Sequence, residues 1–142
     1  MSDVDKIVSY IKANNILTVC TVHEQIPWAA SCFYAFDKES MEFFFLTSLE
    51  TRHGAEMNNN NRVAGTVSSQ QANVAKIKGL QFSGTAQLLS GEAEKKGRTL
   101  YYKRFPYARI HAAPLWSIRI DAMKYTDNSF GFGTKLFWER ER

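Results

Sequence analysis

The stretch Met41-Glu42-Phe43-Phe44-Phe45-Leu46-Thr47 limits the possible folds more than any other part of the chain. Read as a strand, it turns Phe43 and Phe45 to one side and Phe44 and Leu46 to the other, because successive strand side chains alternate. A strand apolar on both faces needs cover on both sides. A chain of 142 residues has little interior for this, so a homodimer that buries one face is an expected solution. The same length suits one domain over residues 1–142, and ten Phe and six Tyr favour strands over a disordered chain.

The flanking segments extend this pattern. Val4, Ile7, Val8 and Ile11 recur at helical spacing behind Ser2 or Asp3 as N-cap, which predicts a short amphipathic helix. Ile16 to Val22 and Trp28 to Phe36 read as a hairpin turning near Gln25, with Cys20 and Cys32 facing each other across it. Thr51 to Met57 predicts a short helix stopped by the Asn58 to Asn61 run, and Arg62 to Ser68 a further strand. Lys76 to Leu89 alternates most clearly, with Gly79 and Gly84 placed to permit a bend or a close backbone approach. A longer helix runs from Ser90 to about Arg104 with Ala93, Gly97, Leu100 and Tyr101 inward, and Pro106 ends it. Trp116 to Ala122 and Leu136 to Trp138 supply the last strands. Strands at hairpin spacing with so few helices predict a mainly β (α+β) antiparallel barrel of six to seven strands, not a doubly wound sheet.

Several functions find no support in these residues. No apolar run reaches the roughly 18 residues of a membrane span. The start, Met1 to Ile7, is acidic and amphipathic and lacks the pattern of a signal peptide, so a cytoplasmic location is expected. Two cysteines make no disulfide framework and read as small core residues, with no histidine paired to either. His23, His53 and His111 are scattered without zinc spacing, and Gly131-Phe132-Gly133 lacks the context of a dinucleotide loop, so no metal is expected. A net charge of +4 and the Lys95 to Arg109 basic stretch, interleaved with Tyr101, Tyr102 and Phe105, raise nucleic acid as a partner. Glu92 and Glu94 beside that stretch favour a solvated helix face instead.

One constellation stands apart. Thr47 and Ser48 end a strand, and Thr51, Arg52 and His53 open a helix, so two potential cations sit where the helix already carries partial positive charge. An anion such as a phosphate would satisfy these groups and the free backbone N–H groups together. In the alternative, Ser48 or Thr51 caps the helix while Arg52 and His53 point into water.

The run Phe44-Phe45-Leu46-Thr47-Ser48-Leu49-Glu50-Thr51-Arg52-His53 resembles the cofactor-binding stretch of the FMN-binding split barrels of the pyridoxamine-phosphate-oxidase-like superfamily. Arg62 to Val67, Lys78-Gly-Leu-Gln-Phe-Ser-Gly84 and Lys124 to Gly133 are similar to its small bacterial YhbP-type branch. The resemblance covers nearly the whole chain. It implies a split β-barrel that binds FMN in a groove shared by two subunits. Thr47, Ser48, Thr51, Arg52 and His53 would hold the phosphate, and Ala30 and Ser31 would lie near the ring. It further implies a flavin-dependent oxidoreductase of unidentified substrate, or else a non-enzymatic module for haem, another planar cofactor or a protein partner. His53 stands where the oxidases carry a permanent charge, and Phe105-Pro-Tyr-Ala-Arg109 does not match their substrate-binding run, so pyridoxamine-phosphate oxidation itself is not expected. No catalytic residue is identifiable.

Overall fold

The computed structural model describes residues 1–142. In chain order the elements are α1 (Asp3–Ala13), β1 (Ile16–His23), β2 (Ile26–Phe33), β3 (Ala35–Asp37), β4 (Glu42–Leu46), α2 (Arg52–Asn59), β5 (Arg62–Ser68), β6 (Lys78–Leu88), α3 (Gly91–Arg104), β7 (Leu115–Asp127) and β8 (Lys135–Glu139). All eight strands join one antiparallel sheet in the order β2-β1-β5-β6-β7-β4-β3, with β8 also on β7. The two ends of this order, β2 and β3, are consecutive in the chain, so the sheet curls back on itself as a split barrel. β4 and β8 share one side of β7, along Leu115–Arg119 and Ala122–Thr126 respectively.

The expected second strand, Trp28 to Phe36, is two strands. The chain changes partner at Tyr34, from β1 to β4, and the fully buried Tyr34 ring packs on Phe43 at 5.0 Å. The count therefore rises from the expected six or seven strands to eight. The hairpin turn is Glu24-Gln25, both with positive φ (50° and 67°), a two-residue turn whose twist suits the flanking strands. That turn fixes a register pairing Cys20 with Ala29 and Cys32 with Leu17, so the two cysteines do not face each other. Pro27 lies within β2 and is tolerated because β2 is an edge strand.

Both faces of β4 are covered within the chain. Phe43 and Phe45 enter the main core of 22 buried residues, with Ile7 and Ile11 of α1 and Met57 of α2. Phe44 packs in a second cluster with Ala35, Leu89, Leu115 and Tyr101, the last supplied by α3. A second copy is thus not needed to cover this strand. α3 turns Gly97 and Tyr101 inward as expected, whereas Ala93 is exposed and the Ser90 side chain makes no cap hydrogen bond. The β6 ladder slips between Ser83 and Gly84, where an added Cβ would lie 2.5 Å from the Arg119 carbonyl oxygen; Gly79 has open space and marks no close approach.

Candidate functional site

The end of β4 is anchored before the loop begins. The Thr47 amide donates to the Pro114 carbonyl (3.0 Å), and the buried Trp116 indole N–H donates to the Thr47 carbonyl (3.2 Å). The next four residues make a tight loop: the Thr51 hydroxyl donates to the Ser48 carbonyl (2.8 Å), and the Ser48 hydroxyl accepts from the Glu50 amide (3.1 Å). Thr51 is the N-cap of α2, its hydroxyl accepting from the Gly54 amide (3.0 Å). The loop lies so close to the helix that a Cβ on Gly54 would stand 2.2 Å from the Ser48 carbonyl oxygen.

Neither Arg52 nor His53 simply points into water. The Arg52 guanidinium lies 4.1 Å over the Trp28 ring, and its Nε donates to Glu56 Oε2 at 2.9 Å, the favourable i,i+4 spacing on a helix. Glu56 is buried, and its other oxygen accepts from the Thr21 hydroxyl (2.8 Å). Those hydrogen bonds, Arg52 first, hold the Glu56 carboxyl below the ordinary carboxylate range. The positive charge that looked misplaced at the start of α2 is therefore paired one turn later.

His53 turns inward. Its Nε2 is 2.9 Å from the Thr47 hydroxyl and 3.9 Å from Cys32 Sγ, and Cys32 Sγ is also 3.9 Å from that hydroxyl. Burial pushes the His53 pKa below its ordinary value and the Cys32 thiol above its own, so near neutral pH the pair is a neutral imidazole beside a neutral thiol. The sequence reading found no histidine for either cysteine; strand register brings Cys32 of β2 to His53 of α2. Trp28, Cys32 and Glu56 were all missed. Only Glu56 carried a signal in the sequence, its i,i+4 spacing from Arg52.

Two features of this corner are open to a ligand. The backbone amides of Arg52 and His53, the first two of α2, donate to no group of the chain. Alternation from the closing pair His23 and Ile26 also turns the N–H and C=O of Ser31 away from β1, toward the free edge of β2. Ala30 differs: its backbone belongs to the ladder with Val19, and its methyl group packs on the main core. The structure thus gathers Thr47, Ser48, Thr51, Arg52 and His53 in one loop, with Ala30 on the neighbouring strand and Ser31 on the outer edge.

Comparison with known proteins agrees with this architecture. The family model described as pyridoxamine 5'-phosphate oxidase matches residues 4–127. A UPF0306 protein of Yersinia pseudotuberculosis is 44% identical over 138 residues, covering 97% of this chain and 94% of that protein. Among solved structures, a heme-binding protein from Mycobacterium smegmatis superposes with a TM-score of 0.84 at 16% identity. It covers 98% of this chain, which spans only 58% of that protein's length. HutZ, the heme storage protein from Vibrio cholerae, superposes at 0.70 with 17% identity over 85% of this chain and 92% of its own. An FAD-binding protein from Mesorhizobium loti does so at 0.70 with 13% identity over 84% and 91%. At such low identity the three structures establish the fold, while the family model and the Yersinia relative establish kinship: the chain belongs to the UPF0306 family within the pyridoxamine 5'-phosphate oxidase-like split barrels.

Proposed function

We propose that this protein binds FMN, with the phosphate at the start of α2, and acts as a homodimeric flavin-dependent oxidoreductase. The observation carrying this reading is the pair of free amides of Arg52 and His53 beside a guanidinium already fixed in position. Arg52 spends only its Nε on Glu56, which leaves its two terminal nitrogens for phosphate oxygens. The Thr47, Ser48 and Thr51 hydroxyls line the same loop. His53 would add a charge-assisted hydrogen bond on taking up a proton, so binding would be proton-linked. The outward N–H and C=O of Ser31 suit the polar rim of a flavin ring, with Ala30 next to it on β2. FMN would supply the electron-transfer chemistry, and the chain's part is to bind and orient it.

The test is titration of FMN into the purified protein, followed by flavin fluorescence. Saturable quenching that Arg52→Glu weakens at least about tenfold supports the seat. No quenching with FMN on the order of tens of micromolar overturns it.

A second reading, a non-enzymatic haem-binding module, draws on two solved relatives of this fold that bind or store heme and on the neutral imidazole of His53. It predicts an absorbance band characteristic of ligated haem that His53→Ala removes, with no flavin quenching.

A further inference from the structure

Two 3₁₀ turns, Val74–Lys76 before β6 and Asn128–Phe130 after β7, meet just beyond the last pair of the β6–β7 ladder, Lys78 with Asp127. Asn128 ties them together: its amide donates to the Ile77 carbonyl (3.0 Å) and its side-chain Nδ2 to the Val74 carbonyl (2.8 Å). The second turn is also held from within. The Asp127 carboxylate accepts from the Ser129 amide (2.9 Å), and the Asn128 side-chain oxygen accepts from the Gly133 amide (2.9 Å). This fixed tip carries apolar side chains that the core does not use. Val74, Phe130 and Phe132 are 55%, 58% and 83% exposed, and Ile77 is 37% exposed, a cluster of the kind that marks a contact surface.

The charge around the tip is one-sided. Residues 69–80 and 128–138 contain Lys76, Lys78 and Lys135 and no Asp or Glu. Lys6 of α1 joins them, its Nζ 5.0 Å over the Phe130 ring. None of these four lysines is in an ion pair. Of the carboxylates nearby, Asp127 is buried and spent on Tyr125 and Ser129, while Asp3 and Asp5 sit in the first turn of α1, where they offset its positive end. The complement of this tip is therefore apolar and anionic at once. We infer that the tip docks on an anionic lipid surface, with Phe130 and Phe132 entering the headgroup layer and Lys6, Lys76, Lys78 and Lys135 supplying the countercharge. A membrane suits it better than an acidic protein: Phe132 stands clear of the chain, a shape that a fluid headgroup layer accommodates and that a protein matches only with a preformed pocket. The contact is peripheral, and no helix of the chain is long and apolar enough to cross a bilayer. The tip shares no residue with the loop at the start of α2 and does not depend on flavin occupancy.

The experiment is co-sedimentation of the full chain with vesicles of equal parts phosphatidylcholine and phosphatidylglycerol, against vesicles of phosphatidylcholine alone. Binding to the mixed vesicles only is expected, and added salt should weaken it. Lys76→Gln and Lys78→Gln should each weaken it about fivefold, the worth of one lysine near an anionic surface. Phe132→Ser should weaken it about tenfold, and because the ring packs so little within the chain the variant should keep the wild-type Tm. Lys95→Gln, on α3 and paired with Glu92, is the control and should bind as wild type does. The inference falls if the protein binds neither kind of vesicle or both equally, if Phe132→Ser binds as wild type, or if Lys95→Gln weakens binding as much as Lys76→Gln. Two results without vesicle binding would reassign the tip and overturn lipid docking: conversion of a dimer to a monomer by Phe130→Ser with Phe132→Ser, which points to a second copy, or binding of soluble polyglutamate, which points to an acidic protein.

Discussion

Replacing Gly54 by alanine tests whether the Thr47–Thr51 loop is held against α2 as tightly as its geometry implies. The new Cβ would lie 2.2 Å from the Ser48 carbonyl oxygen, 2.8 Å from Thr51 Oγ1 and 3.0 Å from Thr47 Cγ2. The first contact is backbone, which cannot rotate away, so the whole loop must shift. Overpacking of this kind costs about 1–3 kcal/mol. The shift also strains the Thr51 cap on the Gly54 amide, a bond whose loss costs about 0.5–2 kcal/mol. Together these give about 1.5–5 kcal/mol, or a fall in Tm of roughly 5–17 °C for a domain of this size. Gly79→Ala is the internal control, since a Cβ there meets nothing within 4 Å, and its effect should stay within about 0.5 kcal/mol. Thermal unfolding followed by calorimetry decides. A Gly54→Ala protein as stable as wild type would refute the close packing of loop on helix, and with it the idea of a rigid anion seat.

Three further outcomes are expected. Burial holds the folded-state pKa of His53 below the free value of 6.5, so the stability from keeping it neutral is complete above that pH and is lost as pH falls below it; His53→Gln should flatten this part of a stability-versus-pH curve. FMN affinity, measured as the difference between wild type and His53→Gln, should rise as pH falls from about 7.5 to 6, because bound phosphate favours the protonated imidazole. Of the two thiols, the buried Cys32 should react slowly with a thiol reagent near pH 8, so Cys20→Ser should remove the fast phase of labelling.

The barrel was legible because its strands alternate strongly and two of its three helices carry clear caps; Ser2 and Thr51 cap the helices that were expected near them, while Ser90 marks the start of α3 without a cap hydrogen bond. The split of the second strand at Tyr34 was not legible, since Trp28 to Phe36 is an unbroken run and its change of partner is a tertiary event. The double-faced strand β4 was read correctly as needing two covers, but α3 of the same chain provides the second. At the candidate site, the loop residues followed from the sequence because they are adjacent. The partners that set their charge did not, because Trp28 and Cys32 reach Arg52 and His53 only through the register of β2. The apparent excess of positive charge at the start of α2 came from reading that turn without Glu56, whose carboxylate offsets it from one turn away.

The central claim, a flavin phosphate seat at the start of α2, is tested most directly by one binding isotherm. FMN and riboflavin, which lacks the phosphate, are titrated into the same protein and flavin quenching is followed. FMN is expected to bind at least about tenfold more tightly, with the difference lost in Arg52→Glu. Equal affinities for the two flavins, or no binding of either, would contradict the assignment.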